Sequence, residues 1–526
     1  MNFLSFFIVF YSFLIELNGI NGYRILAIFP YNARSHNNVF EGVTKALARN
    51  GHQIDVVSHF ELKKPLKNYN TIINLEGTRD NLVNNFTIQI NEDPIDDQFR
   101  EVVEKYGNEV CELLGLPELQ NLIKNPPQNP PYDLFITEMF CAQCFIGIGH
   151  VLKVPVITIS STMEVSWFND MLGNPNSAAT IPNLMSNLTG ISTFWNRLEN
   201  TIQMHKTRHM FYKYSGDAQT KAMRKYLDPN MPDIRQVERD TALTFFNSFY
   251  TLHGIKSRTA AVIQIGGIHF ENFETELPSD FKEWMDESKN GVVIFTLGSM
   301  ALIESLPKET ILAFYAAFEK IAPIRVLMKI VNKEKLPPGL PANVRISTWL
   351  PQYQLIQHNN TILFMTHGGL LTSLEVINRG IPTIGFPLFG DQFANVNLLV
   401  KKNMSIIIDY KTITEEKLTK ALNSVLFDPI YRESAKRESK LFRDRPFTPS
   451  QTVNYWVEYI IRNGPNVLRS PSVDLQWWEN ELLDVYGFIA LCFLIIATLL
   501  IVTFIITMRL IFKLFHQLMT KSIKLE

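Results

Sequence analysis

From Tyr23 onward the chain alternates between short apolar runs and longer amphipathic stretches. Residues 25–29 form a continuous apolar run, followed by a polar loop. Val39, Phe40, Val43, Ala46 and Leu47 then recur at helical spacing, Asn50-Gly51 breaks that spacing, and residues 54–57 resume as an extended run. This rhythm predicts a β-α-β unit. Further apolar runs at 71–75, 133–137 and 154–160 extend it to a parallel sheet wrapped by helices. Residues 161–240 are less regular and rich in Met, Phe, Trp and Asn, with one long helical stretch around 195–214. They fit either an apolar pocket or simple helical packing.

A polar, punctuated segment at 266–290 reads as an interdomain linker running into a short helix. A second alternation follows. Strands are predicted at 292–296, 325–330, 343–347, 362–365, 381–386 and 405–409, with helices around 308–321, 369–379, 391–402 and 414–427. Two doubly wound α/β domains in series result, covering 23–265 and 291–465. Ligands of such sheets bind at the carboxyl ends of the strands, and two sheets face to face make a cleft. No G-x-G-x-x-G follows a strand and no P-loop lysine motif is present, so a dinucleotide cofactor is not indicated.

The two ends of the chain have a different character. Residues 3–15 form an apolar core of signal-peptide length without a charged leader, and 1–22 is read as a signal peptide. A juxtamembrane segment at 466–484 brings Trp477, Trp478 and Tyr486 to the start of an uncharged stretch at 485–508. As a helix this stretch spans roughly 36 Å, enough to cross a bilayer. Arg509, Lys513, Lys521 and Lys524 follow it, so the positive-inside rule places the tail 509–526 in the cytosol and the body on the luminal or outer side. Sequons at Asn85, Asn187, Asn359 and Asn403 are glycosylation candidates that agree with a secretory location.

Composition narrows the class further. With 46% hydrophobic and 19% charged residues and a formal net charge of -1, the chain suits folded domains, and no basic stripe points to nucleic acid. The four cysteines do not make a disulfide scaffold. Cys141 and Cys144 form a lone C-x-x-C in an apolar setting and read as buried thiols, not as a metal or redox site.

Polar groups set into the apolar strand ends carry the candidate chemistry. In FMTHGGLLTSLE, a strand ends at His367, and Gly368 and Gly369 open a helix. Free N–H groups and the positive end of the helix dipole favour a phosphate there. Glu375 lies two turns further along the same helix. A buried carboxylate needs partners, which the vicinal hydroxyls of a ribose would supply. Its local alternative is a pair with Arg379, and that of His367 is a helix cap. Asp391 and Gln392 open the next helix and suit the hydroxyls of a hexose. Trp349 and Gln352, in STWLPQYQL, offer a flat face and an amide for a base. Gly298-Ser299 makes a further strand-end turn near the diphosphate. Together these residues fit a nucleoside diphosphate sugar.

Taken together, TLGSM, WLPQ, THGG…E, GDQ, the leader, the anchor and the basic tail resemble the animal UDP-glycosyltransferases (the UDP-glucuronosyltransferase family) over nearly the whole chain. The resemblance implies a GT-B fold and metal-free, cofactor-free, inverting transfer of a hexose from a UDP-sugar to a small lipophilic acceptor. It implies that Trp349 and Gln352 contact the nucleotide, that Ser299, His367 and Gly369 hold phosphates, that Glu375 holds the ribose, and that Asp391 and Gln392 hold the sugar. It places a catalytic base at His36, in the loop after the first strand, and its acidic partner at Glu138, where vertebrate members usually carry aspartate. At a helix N-terminus the His36 imidazole is expected to stay neutral. Many vertebrate members have asparagine four positions after the signature histidine. Leu371 stands there in this chain, within GGLLTSLE, which more closely resembles arthropod members, and these typically use UDP-glucose.

The reading is therefore a single-pass type I membrane enzyme of the endoplasmic reticulum, with its catalytic part luminal and conjugation or detoxification as its role. Glucose and glucuronate both remain open as the transferred sugar, and so does a homo-oligomer. A non-catalytic UDP-sugar-binding membrane protein and a glycosyltransferase acting on a membrane lipid are the competing readings.

Overall fold

The computed structural model describes residues 22–88, 95–183, 186, 188, 190–271 and 276–523. The leader core and Asn187 lie outside the described residues. Asn85, Asn359 and Asn403 are exposed.

Seven parallel strands form the first sheet. They are β1 (Arg24–Phe29), β2 (Gln53–Ser58), β3 (Tyr69–Asn74), β4 (Leu134–Glu138), β5 (Val156–Ser160), β6 (Thr241–Phe246) and β7 (Val262–Gln264), in the order β3-β2-β1-β4-β5-β6-β7. β4, β5 and β6 are buried along their whole length, as expected of parallel strands covered on both faces. The strand order reverses around β1, so the loops leaving β1 and β4 open at the switch point. Helix α1 (Arg34–Arg49) follows β1 and seats Val39, Phe40, Val43 and Leu47 in the core.

The second sheet holds β8 (Val292–Thr296), β9 (Arg325–Lys329), β10 (Val344–Ser347), β11 (Thr361–Thr366), β12 (Thr383–Gly385) and β13 (Ser405–Ile407), ordered β10-β9-β8-β11-β12-β13 and all parallel. Its switch point lies between β8 and β11. These strands hold the expected runs to within a few residues. The notable omissions from the sequence reading are β6 and β7, which complete the first sheet, and a short parallel pair between Phe86–Thr87 and Ala301–Leu302. That pair joins a loop of the first domain directly to the second.

Helical packing is evident in the irregular region 161–240. Helix α2 (Phe194–Tyr226) buries Met204, Met210, Phe211 and Met223, and Trp167 stacks on Phe211.

Two expectations need correction. The second domain was bounded at 465, yet helix α5 (Pro449–Asn463) returns to the first domain, where Val453, Val457 and Ile460 join its core. An apolar helix stripe shows that a helix is buried, but the sheet that covers it is decided in three dimensions. The second correction concerns Cys144. It is not a buried thiol but forms a disulfide with Cys111, leaving Cys141 free and buried.

Pro471–Glu526 forms a separate unit. Within it, helix α6 (Leu483–Ile523) runs unbroken through and beyond the expected span 485–508. Its stretch Leu483–Thr520 contains an 18-residue window of mean hydropathy 3.2 and is long and apolar enough to cross a membrane.

The disulfide closes a loop of 33 residues, which by chain entropy contributes about 4 kcal/mol. Cys144→Ser is expected to lower the unfolding free energy of the first domain by about that amount. Denaturant titration with and without reductant checks this, since reductant should destabilise the wild type and leave the variant unchanged.

Candidate active site

The site lies where the carboxyl ends of the two sheets meet. His36 stands in the first turn of α1, whose N-terminus has no side-chain cap. Glu138 ends β4, the neighbour of β1 in the sheet. Their pairing brings His36 Nδ1 to 2.5 Å from Glu138 Oε1. The carboxylate is fully buried and its other oxygen has no partner among the described residues. Tyr31 and Phe140 pack against the imidazole ring, and the Tyr31 hydroxyl accepts the N–H groups of Cys141 and Ala142. Glutamate, one methylene longer than the aspartate usual in vertebrate members, thus reaches the imidazole.

The field that governs the His36 pKa is not the helix end on which the expectation of a neutral ring rested. Burial alone would lower its pKa, but the Glu138 carboxylate, with help from Asp391, outweighs burial and the pKa is raised. A carboxylate at hydrogen-bond distance is a stronger field than a helix end. Glu138 is itself pushed up by burial, with His36 opposing, so the two titrate as a pair. The mutual influence of Asp391 and His36 also puts the second domain's carboxylate close to the first domain's imidazole.

The second domain contributes the turns after β8 and β11. Gly298 has φ +82° and Gly368 has φ +86°, conformations that side chains disfavour. A Cβ on Gly298 would stand 2.5 Å from the His367 ring, and one on Gly369 would stand 2.9 Å from it. The two glycines therefore flank the imidazole. Burial, and then Lys329, push the His367 pKa down to about 4, and its Nδ1 has no partner among the described residues. A neutral ring with one N–H is left to donate. Helix α3 (Leu370–Arg379) starts at Gly369 with no side-chain cap, so His367 does not cap it and its first N–H groups remain available to a ligand. Leu371, in its first turn, packs against the core of the first domain.

Glu375 does not pair with Arg379, which donates to Asn359 instead. Its Oε2 accepts Gln352 Nε2 at 2.6 Å, and the same amide reaches Thr372 Oγ1 at 3.1 Å. Trp349 is 46% exposed, enough to offer a ring face. Asp391 precedes helix α4 (Gln392–Lys401) and accepts Asn395 Nδ2 at 2.9 Å. Burial raises its pKa, with the Asn395 bond and His36 opposing. Gln392 is buried and turns its Oε1 back to the N–H groups of Leu388 and Phe389, fixing the loop that precedes it. Ser299 sits in the turn after β8, where its carbonyl accepts the Asn84 N–H at 2.8 Å.

Sequence reasoning missed three residues here. Lys329 closes β9 at the same edge. It donates to Asn84 Oδ1 and to the Gly298 carbonyl, both at 2.7 Å, and lies over the Trp349 ring. Burial lowers its pKa to about 8. A lysine closing the apolar run 326–328 was the available signal. Asn84, from the first domain, takes a left-handed conformation with φ +54° and pins that domain to the β8 turn. His269, in the linker, approaches Glu375 and carries no local sequence signal.

Comparison with known proteins agrees with this geometry. Residues 26–518 match the model of the family described as UDP-glucoronosyl and UDP-glucosyl transferase. The chain is 33% identical over 493 residues to UDP-glucosyltransferase 2 of Dactylopius coccus, covering 92% of this chain and 94% of that one. It is 30% identical to a UDP-glucuronosyltransferase of Pleuronectes platessa, over 73% of this chain and 81% of that one. The solved UDP-glucose: anthocyanidin 3-O-glucosyltransferase in complex with UDP superimposes with a TM-score of 0.58 at 15% identity, covering 85% of this chain and all of that one. Two Rossmann-like domains facing a cleft define a GT-B glycosyltransferase. The chain belongs to the UDP-glucoronosyl and UDP-glucosyl transferase family.

Gly298→Ala is expected to weaken UDP binding at least about tenfold, because the methyl strains the turn and displaces the His367 ring. Isothermal titration of the detergent-solubilised protein checks this.

Proposed function

We propose that the protein is a membrane-anchored, inverting glucosyltransferase that uses UDP-glucose and acts on the hydroxyl of small lipophilic acceptors, in a conjugating or detoxifying role. The observation that carries the proposal is the His36–Glu138 pair at the cleft, facing Asp391 of the donor-binding domain.

With Nδ1 engaged by Glu138, the imidazole takes the acceptor's proton on Nε2 as the acceptor oxygen attacks the anomeric carbon. The bond from that carbon to the diphosphate breaks on the opposite face and UDP leaves. Glu138 orients the ring and stabilises the imidazolium that develops. In this reading Trp349 stacks on uracil and Gln352 contacts the nucleotide. Ser299, His367, Gly368 and Gly369 receive the phosphates, with Gly298 shaping the turn. Glu375 accepts the ribose hydroxyls, and Asp391 and Gln392 hold the sugar. The uncapped start of α3 and the neutral His367 support phosphate binding there. Backbone N–H groups and imidazole, with Lys329 nearby, supply stabilisation of the leaving diphosphate without a metal.

The insect relative named a UDP-glucosyltransferase and the apolar Leu371 support glucose as the transferred sugar. Helix α6 and the basic residues beyond its centre support a single-pass anchor with a luminal catalytic part; the endoplasmic reticulum is the location this reading assigns.

Membranes from expressing cells should transfer glucose from UDP-glucose, and little from UDP-glucuronate, to a panel of phenols. His36→Ala should cut kcat by about a hundred- to ten-thousand-fold while UDP still binds. Transfer undiminished in that variant would remove His36 as the base. The base acts unprotonated, so kcat/KM should climb with pH as His36 loses its proton. Because its pKa is raised from 6.5, that rise should be centred above pH 6.5. Glu138→Gln removes the charge responsible and should move the rise to lower pH while lowering the plateau. In sealed vesicles, Asn85 should resist modification from the cytosolic side; cleavage by external protease near it would reverse the assigned orientation.

A further inference from the structure

The segment after β7 is fixed to the first domain at several points. Ile268 is buried in its core, and a Cβ on Gly42 of α1 would stand 2.8 Å from the Ile268 carbonyl oxygen. Gly266 lies equally close to the Ser248 carbonyl, and its own carbonyl accepts Arg445 Nη1 at 2.9 Å. From this anchored backbone the His269 side chain, only 3% exposed, reaches across to the second domain. Its Nε2 stands 3.4 Å from Glu375 Oε1, and neither ring nitrogen has a hydrogen-bond partner among the described residues. Phe270 holds the ring edge-on and in turn stacks on Tyr353. Glu375 is thus gripped at Oε2 by Gln352 and approached at Oε1 by His269.

We propose that His269 is a positioning residue of the donor site, whose Nε2–H holds Glu375 Oε1 and so orients the carboxylate toward the two ribose hydroxyls. The proposal rests on the reading of Glu375 as the ribose acceptor. A carboxylate has about four acceptor positions. With Gln352 and His269 each taking one, the remaining two match a vicinal diol. An unpaired, buried imidazole beside a carboxylate is costly to leave unmade, which favours closing the 3.4 Å gap when nucleotide fills the site. The residue belongs to the linker, so the donor site is completed by chain that is packed on the helix carrying His36.

The test is nucleotide affinity of the solubilised full chain for UDP and for 2′,3′-dideoxyuridine diphosphate. Wild type, His269→Ala, His269→Gln and Glu375→Ala are compared. The expected result is an affinity loss of about tenfold for UDP in His269→Ala, with no comparable loss for the dideoxy ligand. His269→Gln, which keeps a side-chain N–H, should recover most of it. In turnover, His269→Ala should raise KM for the donor and leave kcat within about twofold. Equal losses for both ligands, or no recovery by glutamine in a variant of unchanged melting temperature, would overturn the proposal. If Glu375→Ala kept the wild-type ratio between the two ligands, the ribose reading itself would fall, independently of what His269→Ala does.

Discussion

The buried carboxylate of Glu138 has one hydrogen-bonding partner among the described residues, the imidazole of His36, and the first domain is organised around keeping the two together. They come from neighbouring strands at the point where the strand order reverses. One stands at the start of a helix and the other at the end of a strand, so sheet register alone brings them into range. The Tyr31 hydroxyl, accepting two backbone N–H groups, fixes the loop after β4, and the Cys111–Cys144 bond ties that loop to the chain before it. Removing either partner would leave a buried polar group unsatisfied, a cost of about 1–3 kcal/mol before any chemistry is considered.

The second domain repeats the geometry with a different purpose. Its strand-end turns carry glycines, so that backbone can approach a ligand and His367 can sit between them. The two halves are not merely apposed. Asn84 and the short strand at Phe86–Thr87 tie the first domain to the β8 turn, the linker places His269 beside Glu375, and α5 returns to cover α1. The ties through Asn84, Phe86–Thr87 and His269 end within or beside the cleft, so domain packing and site geometry share these contacts.

Much of this was legible in the chain. Parallel strands buried on both faces read as continuous apolar runs, which is why the predicted strands of the second sheet fall within a few residues of those observed. The polar residues that interrupt such runs at their carboxyl ends, such as His367 and Asp391, stand out for the same reason. What escaped is what only tertiary structure decides. Nothing local says that Cys144 bonds Cys111 instead of remaining a thiol, or that the stripe Val453, Val457, Ile460 faces the first sheet. The helix-dipole argument for a neutral His36 counted a field that a carboxylate at 2.5 Å outweighs. His269 is a single polar residue in a linker, with no periodicity to mark it.

The central claim is a single displacement driven by the His36–Glu138 base. The stereochemistry of transfer tests it most directly. Proton NMR of the glycoside formed from α-configured UDP-glucose reports the anomeric configuration before any secondary reaction. The account predicts the β-glycoside alone. An α-glycoside would require a double displacement or a front-face mechanism and would contradict it.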